Sequence, residues 1–357
     1  MSESSGHTRR RFIERSIVQL TLARFRGFIR EPEAVFWTFV FPILLAVGLG
    51  VAFRSRAPER PHVGVIATDA AALKVVDGLK RDSSLIVENV DDSAAARALR
   101  TGKIAILVRI TGPASVEYTL DPVRGDAGTA KLLVDRAIQK SAGRVDPVLV
   151  AEQRVTERGS RYIDFVLPGL LGMNLMGSGI WGIGFAIVDQ RGKKLLKRFM
   201  ATPMSRAEYL ASFMLSRLVF LVLEVVTLLG FGALVFGVPM RGSLLTLGAI
   251  CLLAALAFAG MGLLIASRAR TTEGVSGLMN LVMLPMWIFS GVFFSSSNFP
   301  NAVQPVIKLL PLTAVNDALR ANMLEGAPFV GVSGQMLVIA GWLVLSFVAA
   351  LKLFRWR

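Results

Sequence analysis

"YIDFVLPGLLGMNLMGSGIWGIGFAIV", residues 162–188, decides what kind of molecule this is. Asp164 is its only formally charged side chain. A hydrocarbon core of about 30 Å is crossed by about 20 helical residues, so the stretch is long enough to span a bilayer. It is also rich in small residues: Gly169, Gly172, Gly177, Ser178, Gly179, Gly182 and Gly184. In lipid, apolar burial does not drive helices together, and small residues do so by letting backbones approach closely. This span is therefore expected at the centre of a bundle or in a dimer interface.

Similar stretches recur on both sides. Together with 161–188, the segments 34–53, 209–236, 244–266, 275–296 and 335–351 make six expected spans. The whole chain agrees, with 53% hydrophobic residues, 18% charged residues and a mean hydropathy of +0.57. Between 54 and 160 the apolar runs shorten and the charge becomes mixed. "HVGVIATD", "SLIVENV", "GKIAILVRI" and "SVEYTL" read as strands there, and "AAALKVVDGLKRD", "SAAARALRTG" and "GTAKLLVDRAIQKSAG" as helices. Alternating strands and helices predict a small α/β domain. The expected fold is thus a mainly α-helical integral membrane protein with six transmembrane helices. A small α/β extracytoplasmic domain is inserted between the first and second.

The formal charge of +15 is informative once it is located. Arg9, Arg10, Arg11, Arg15, Arg24, Arg26 and Arg30 precede the first span, and Arg191, Lys193, Lys194, Lys197, Arg198 and Arg206 follow the second. Arg268 and Arg270 follow the fourth, and Lys352, Arg355 and Arg357 the sixth. The short loops of the opposite side hold only Arg241, Lys308 and Arg320. The positive-inside rule then puts both termini in the cytoplasm and 54–160 outside it. The basic character records membrane orientation, and no nucleic-acid partner is expected.

The remaining segments take their roles from this topology. Residues 1–33 form a cytoplasmic segment whose part from 8 to 30 reads as a basic amphipathic helix at the interface, in contact with membrane lipids. Its start has no apolar core beside the basic cluster, so a cleavable signal peptide is not expected. Pro42 is expected to kink the first span. Residues 189–208 form a cytoplasmic loop, 297–334 outer interfacial or re-entrant half-helices, and 352–357 a cytoplasmic tail.

Catalytic chemistry is hard to find. No G-x-x-x-x-G-K-[ST] loop is present, so the chain has no such cradle for ATP phosphates. The two histidines, His7 and His62, fall on opposite sides of the expected membrane, so no metal site and no histidine dyad is expected. Cys251, the single cysteine, lies within a span. Glu224 is the acidic residue deepest in a span, where a charge costs on the order of 2.5–3.5 kcal/mol and calls for a partner or a watery cavity. Arg217 lies two helical turns earlier on the same face. The pair reads either as a lock between helices or as the polar lining of a transport path. Asn174 and Asn280 are weaker candidates for the same path.

The loop "DQRGKKLLKRFMATPMSRAEYL", residues 189–210, has more structure than a charged anchor needs. A helix from about 190 to 200 would put Leu195, Leu196 and Phe199 on one face, with Arg191, Lys194 and Arg198 spaced by three and four. Pro203 then breaks it, and Ser205 to Glu208 has the form of a capping box for the next span.

This loop, followed by "ASFMLSRL", resembles the segment between the second and third spans of ABC-2 type transporter permeases. "LPMWIFSGVFFSSSNFPNAVQPVIKLLPLTAVNDALR", residues 284–320, resembles that family's fifth span and outer segment, and the insertion after the first span its subgroup with a large extracytoplasmic domain. The resemblance implies the transmembrane subunit of an ABC exporter with no catalytic residues of its own. Two permease subunits, as a homo- or heterodimer, would sit on a dimer of cytoplasmic ABC ATPase subunits that bind ATP and Mg. It also implies a bacterial inner-membrane location. ATPase motion would be received by residues 12–30 and 190–203, among them Arg191, Gly192, Lys193, Lys194, Leu195, Lys197, Arg198, Phe199 and Pro203. The sequence departs from the family at Arg191, where a second acidic residue is usual, and at Lys193, where Thr is usual. The low polarity of the spans favours a hydrophobic or amphipathic cargo, drug or lipid-like. A six-span sensor or scaffold, binding a ligand through its extracytoplasmic domain, is the alternative, and a membrane enzyme using Glu224 or Asp164 a third reading.

Overall fold

The computed structural model describes residues 16–53, 60–66, 70–112, 115–144, 161–193, 206–269 and 271–353. The chain divides into two compact units, one of Met1–Ser55 with Thr156–Arg357, the other of Arg56–Val155.

The first unit is helical. α1 (Ser16–Ile29) turns at Arg30 into α2 (Pro32–Ala52). α2 widens to a π-helical turn at Phe36–Val40, just before Pro42. Proline has no N–H to give the carbonyl four residues back, which here belongs to Thr38. That carbonyl accepts from Asn174 Nδ2 at 3.1 Å instead. A neighbouring side chain thus supplies the bond that makes Pro42 tolerable in lipid.

α6 (Tyr162–Gly192), α7 (Arg206–Phe231, extended by a π-helical turn Gly232–Phe236), α8 (Leu244–Arg268) and α9 (Thr272–Phe289) follow. Between α2 and α6 lie the second unit's helices, α3 to α5. The short α10 (Gln304–Leu309) then leads to α11 (Pro311–Glu325) and α12 (Ser333–Leu353).

α6 and α8 form the centre: 56% and 61% of their most apolar windows are buried, against 11%, 22% and 17% for the spans of α2, α7 and α12. The reason is their glycines. A Cβ on Gly262 would stand 2.7 Å from the Ile180 carbonyl oxygen, and one on Gly179 2.7 Å from Phe258 Cβ. The backbones therefore pack at a distance that larger side chains forbid.

Among the described residues, five helices are long and apolar enough to cross a membrane, where six spans were expected. The difference falls on 275–296. α9 ends at Phe289 and its first turn carries Glu273, so the chain turns at Ser290 before the apolar run is used up. One other boundary differs. α6 passes through Asp189 and ends at Gly192, so Arg191 and Gly192 are the last turn of the span helix and not the start of a separate one. Within 297–334, where interfacial or re-entrant half-helices were expected, Leu312, Val315, Asn316, Leu319, Asn322 and Met323 of α11 are all buried, which speaks against the interfacial alternative and leaves the re-entrant one. α11 packs against α6, α8 and α12.

The second unit is the α/β segment. Its sheet has the order β2-β1-β3-β4, with β1 (His62–Ile66) parallel to β2 (Ile86–Asn89) and β3 (Ile106–Gly112), and β4 (Ser115–Leu120) antiparallel to β3. Because strand side chains alternate, Val63, Val65, Ile106 and Val108 meet α3 (Ala70–Arg81) and α5 (Gly125–Ser141) through Val76, Leu79, Val134 and Ile138. Leu107, on the opposite face, packs with Ala95 of α4 (Asp92–Arg100).

Candidate functional site

Three features of the helical unit could carry function. The first is a charge cluster between α6 and α7. Arg217 and Glu224 lie two turns apart on α7 and are 7% and 1% exposed. Arg217 Nη1 donates to Glu224 Oε1 at 2.8 Å. Ser178 of α6 completes the group: its hydroxyl accepts from Arg217 Nη2 at 2.8 Å and lies 2.9 Å from Glu224 Oε2 and 2.7 Å from the Asn174 carbonyl oxygen. With its one proton Ser178 can serve either oxygen. Asn174 lies one turn before Ser178 and bonds to α2, so α2, α6 and α7 are joined by one polar chain. Asn280 is elsewhere, exposed on α9.

The second feature is at the end of α6. Arg191 Nη1 donates to the carbonyls of Ala266 and Ala269, at 3.3 and 3.2 Å, at the C-terminus of α8. A helix C-terminus presents unpaired carbonyls and partial negative charge, so this guanidinium ties two span ends together. One turn of α6 is closed beside it by Lys193 Nζ and Asp189 Oδ2 at 2.8 Å. The Asp189 hydrogen bond holds the Lys193 ammonium above its ordinary pKa, and the charge of Glu31, in the α1–α2 turn, adds to this. The base of the 189–208 loop is therefore in contact with α8 and in the electrostatic reach of the turn below α1. Lys194, Leu195, Lys197, Arg198, Phe199 and Pro203 lie outside the described residues, as does most of the expected helix from 190 to 200.

The third feature escaped the sequence reading. Arg320, taken there as a loop charge, is largely buried in α11. Its Nε donates to the Phe165 carbonyl at 3.1 Å, its Nη2 donates to the Gly291 carbonyl, and its guanidinium lies 3.7 Å from the Phe165 ring centre. Burial pulls its pKa down to about 10, partly countered by Asp317, so it remains protonated at neutral pH. Its spacing was the available signal, since it shares a helical face with Asn316 and Met323.

The described residues hold no group of three or more His, Cys, Asp or Glu side chains able to bind a metal. Among the described residues, the geometry offers ties between helices and a buried polar cluster.

A family model described as "ABC-2 family transporter protein" matches residues 33–352. The chain belongs to that family. Among curated relatives, "ABC transporter G family member 20" of Dictyostelium discoideum is 28% identical over 199 residues, covering 54% of this chain and 27% of that protein. The "probable multidrug ABC transporter permease YbhS" of Escherichia coli is 27% identical over 192 residues, 53% of this chain and 50% of its own length. In these two the match spans half of the relative or less. The "linearmycin resistance permease protein LnrN" of Bacillus subtilis is 25% identical over 371 residues, covering 91% of this chain and 96% of that protein. An ABC-2 chain of this kind is a membrane protein with apolar spanning helices.

Proposed function

We propose that this chain is the permease subunit of an ATP-driven exporter, moving a hydrophobic or amphipathic molecule out of the cytoplasm or the inner leaflet. In this reading α9 completes six spans, both termini are cytoplasmic, and the α/β unit lies outside. Its setting is a bacterial inner membrane, in a homo- or heterodimer of permeases on a pair of ATPase subunits that supply the site for ATP and Mg. The relatives named for multidrug transport and linearmycin resistance support a drug-like cargo.

The observation that carries the reading is the Arg191 tie. An ATPase pushing on residues 189–208 must move α6, and Arg191 passes that displacement to the end of α8, the other central helix. Hydrogen bonds to charged donors contribute about 1.5–3 kcal/mol each, enough for the two helices to move as one.

The test is purification of the tagged full chain in mild detergent from its native host, followed by ATP hydrolysis measurements on the complex. Arg191→Ala should keep the ATPase bound but lower cargo-stimulated hydrolysis about tenfold, a loss of about 1.4 kcal/mol of coupling. Absence of any copurifying ATPase would sink the reading. In that case the cleft of the α/β unit lined by Arg60, His62, Lys103 and Arg124, about 340 Å³, is where a sensor would take its ligand.

A further inference from the structure

We infer that the first turn of α11 binds an ordered water, held between α11 and the end of α9 by the hydroxyls of Thr313 and Ser290. The two residues are 1% and 0% exposed. Neither hydroxyl has a hydrogen-bond partner among the described residues, and the same holds for Asn316 Oδ1 on the next turn of α11. A buried polar group left unpaired is costly, and folded proteins pair nearly all of theirs with protein atoms or water. Other serines of the bundle show the usual remedy. Ser178, Ser267, Ser276 and Ser346 each donate to a carbonyl three or four residues back in their own helix. Thr313 lacks that remedy, because it is the third residue of α11 and no helical turn precedes it. The Leu309 carbonyl, four residues back, accepts from Trp342 Nε1 at 2.8 Å. That bond also fixes the depth, since Trp342 is midway along α12 and α11 therefore starts at half the height of that span.

The groups around the turn select the ligand. First-turn N–H groups have no partner within their helix, and Leu310 at the cap supplies no side-chain bond. Asn316 donates through Nδ2 to the Ser290 carbonyl at 2.8 Å, which sets the end of α9 against α11. Its Oδ1 lies against α6 at Gly172, where a Cβ would run into it. The site thus combines two hydroxyls that donate or accept, N–H groups that donate and an amide oxygen that accepts. An anion is opposed by Asn316 Oδ1 and by Asp317, one turn after Thr313. A cation is opposed by the positive end of the helix and by the largely buried Arg320 on the same face. A neutral molecule that both donates and accepts, and is small enough to sit among side chains closed to solvent, is water.

The test is thermal unfolding of the full chain in lipid nanodiscs, with each variant first checked for insertion. Thr313→Val, which keeps the shape of the side chain, and Ser290→Ala should each lower the melting temperature by about 2–4 °C, because the water loses a partner. In the double variant the water has already left with the first change, so the loss should be no larger than that of the worse single variant. A density map of the full chain that resolves ordered water should hold a peak within about 3.2 Å of both hydroxyls. A melting temperature that rises in either single variant would overturn the proposal, since only a dry hydroxyl is better removed. Losses that add in the double variant, or a map in which the two hydroxyls bond to each other directly, would do the same. So would stabilisation by sodium or by phosphate that Thr313→Val removes, because the site would then hold an ion.

Discussion

Replacing Glu224 by Leu leaves the Arg217 guanidinium buried, with the Ser178 hydroxyl and no carboxylate. Breaking one partner of a buried ion pair costs about 3–5 kcal/mol, because the other charge stays desolvated and uncompensated. Arg217→Met should cost a similar amount, since Glu224 is only 1% exposed and keeps a single serine donor. Removing both charges together is different. A buried pair exchanged for apolar side chains of similar size is often close to neutral, so Arg217→Met/Glu224→Leu should lie within about 1 kcal/mol of the parent. The coupling energy of the double-mutant cycle is then several kcal/mol. It is measured by reversible unfolding in mixed detergent and SDS micelles, with each variant checked for insertion. Effects that add to within about 0.5 kcal/mol would refute the reasoning, because the two groups would not be interacting. Transport read on the same four proteins separates the two roles of the pair. If the pair is a lock, the double variant recovers transport along with stability. If it lines the path, stability returns and transport does not.

The glycines give a sharper packing test: Gly262→Ala should lower the melting temperature by several degrees, because its Cβ would stand 2.7 Å from the Ile180 carbonyl oxygen, a backbone atom that cannot swing away. Gly182→Ala, with nothing within 4 Å of the new methyl, should be neutral or stabilising by up to about 1 kcal/mol through helix propensity, and an equal loss at both positions would contradict the close α6–α8 contact. In the α/β unit, burial first and then the Asp135 carboxylate raise the Tyr118 pKa to about 12. The raised value favours the folded state fully below pH about 10, the unfolded phenol pKa, and this contribution is lost as pH rises towards 12. Tyrosinate absorbance of the whole chain should therefore lose its step near pH 12 in Tyr118→Phe, and persistence of that step would refute the assignment to Tyr118.

The membrane class, the identity of the central span and the α/β segment were legible in the sequence. Each depends on patterns local to the chain: the length of an apolar run, the clustering of glycines in 169–184, and the alternation of strands with helices. The alignment of Arg217 with Glu224 was legible for the same reason, since a seven-residue spacing is two turns of any α-helix. Ser178 as their third member was not, because it comes from another helix and only packing brings it there. Arg320 and Arg191 show the same divide. As letters they are basic residues near span ends, which the positive-inside rule counts as loop charges. In the folded chain each guanidinium has found backbone carbonyls on other parts of the chain, at Phe165 and Gly291 for one and at Ala266 and Ala269 for the other. Hydropathy and helical periodicity act within one segment, so the sequence by itself determined the membrane class and five of the six apolar spans it predicted. Hydrogen bonds between segments depend on which faces meet, and only the tertiary structure decided that these two arginines tie helices together.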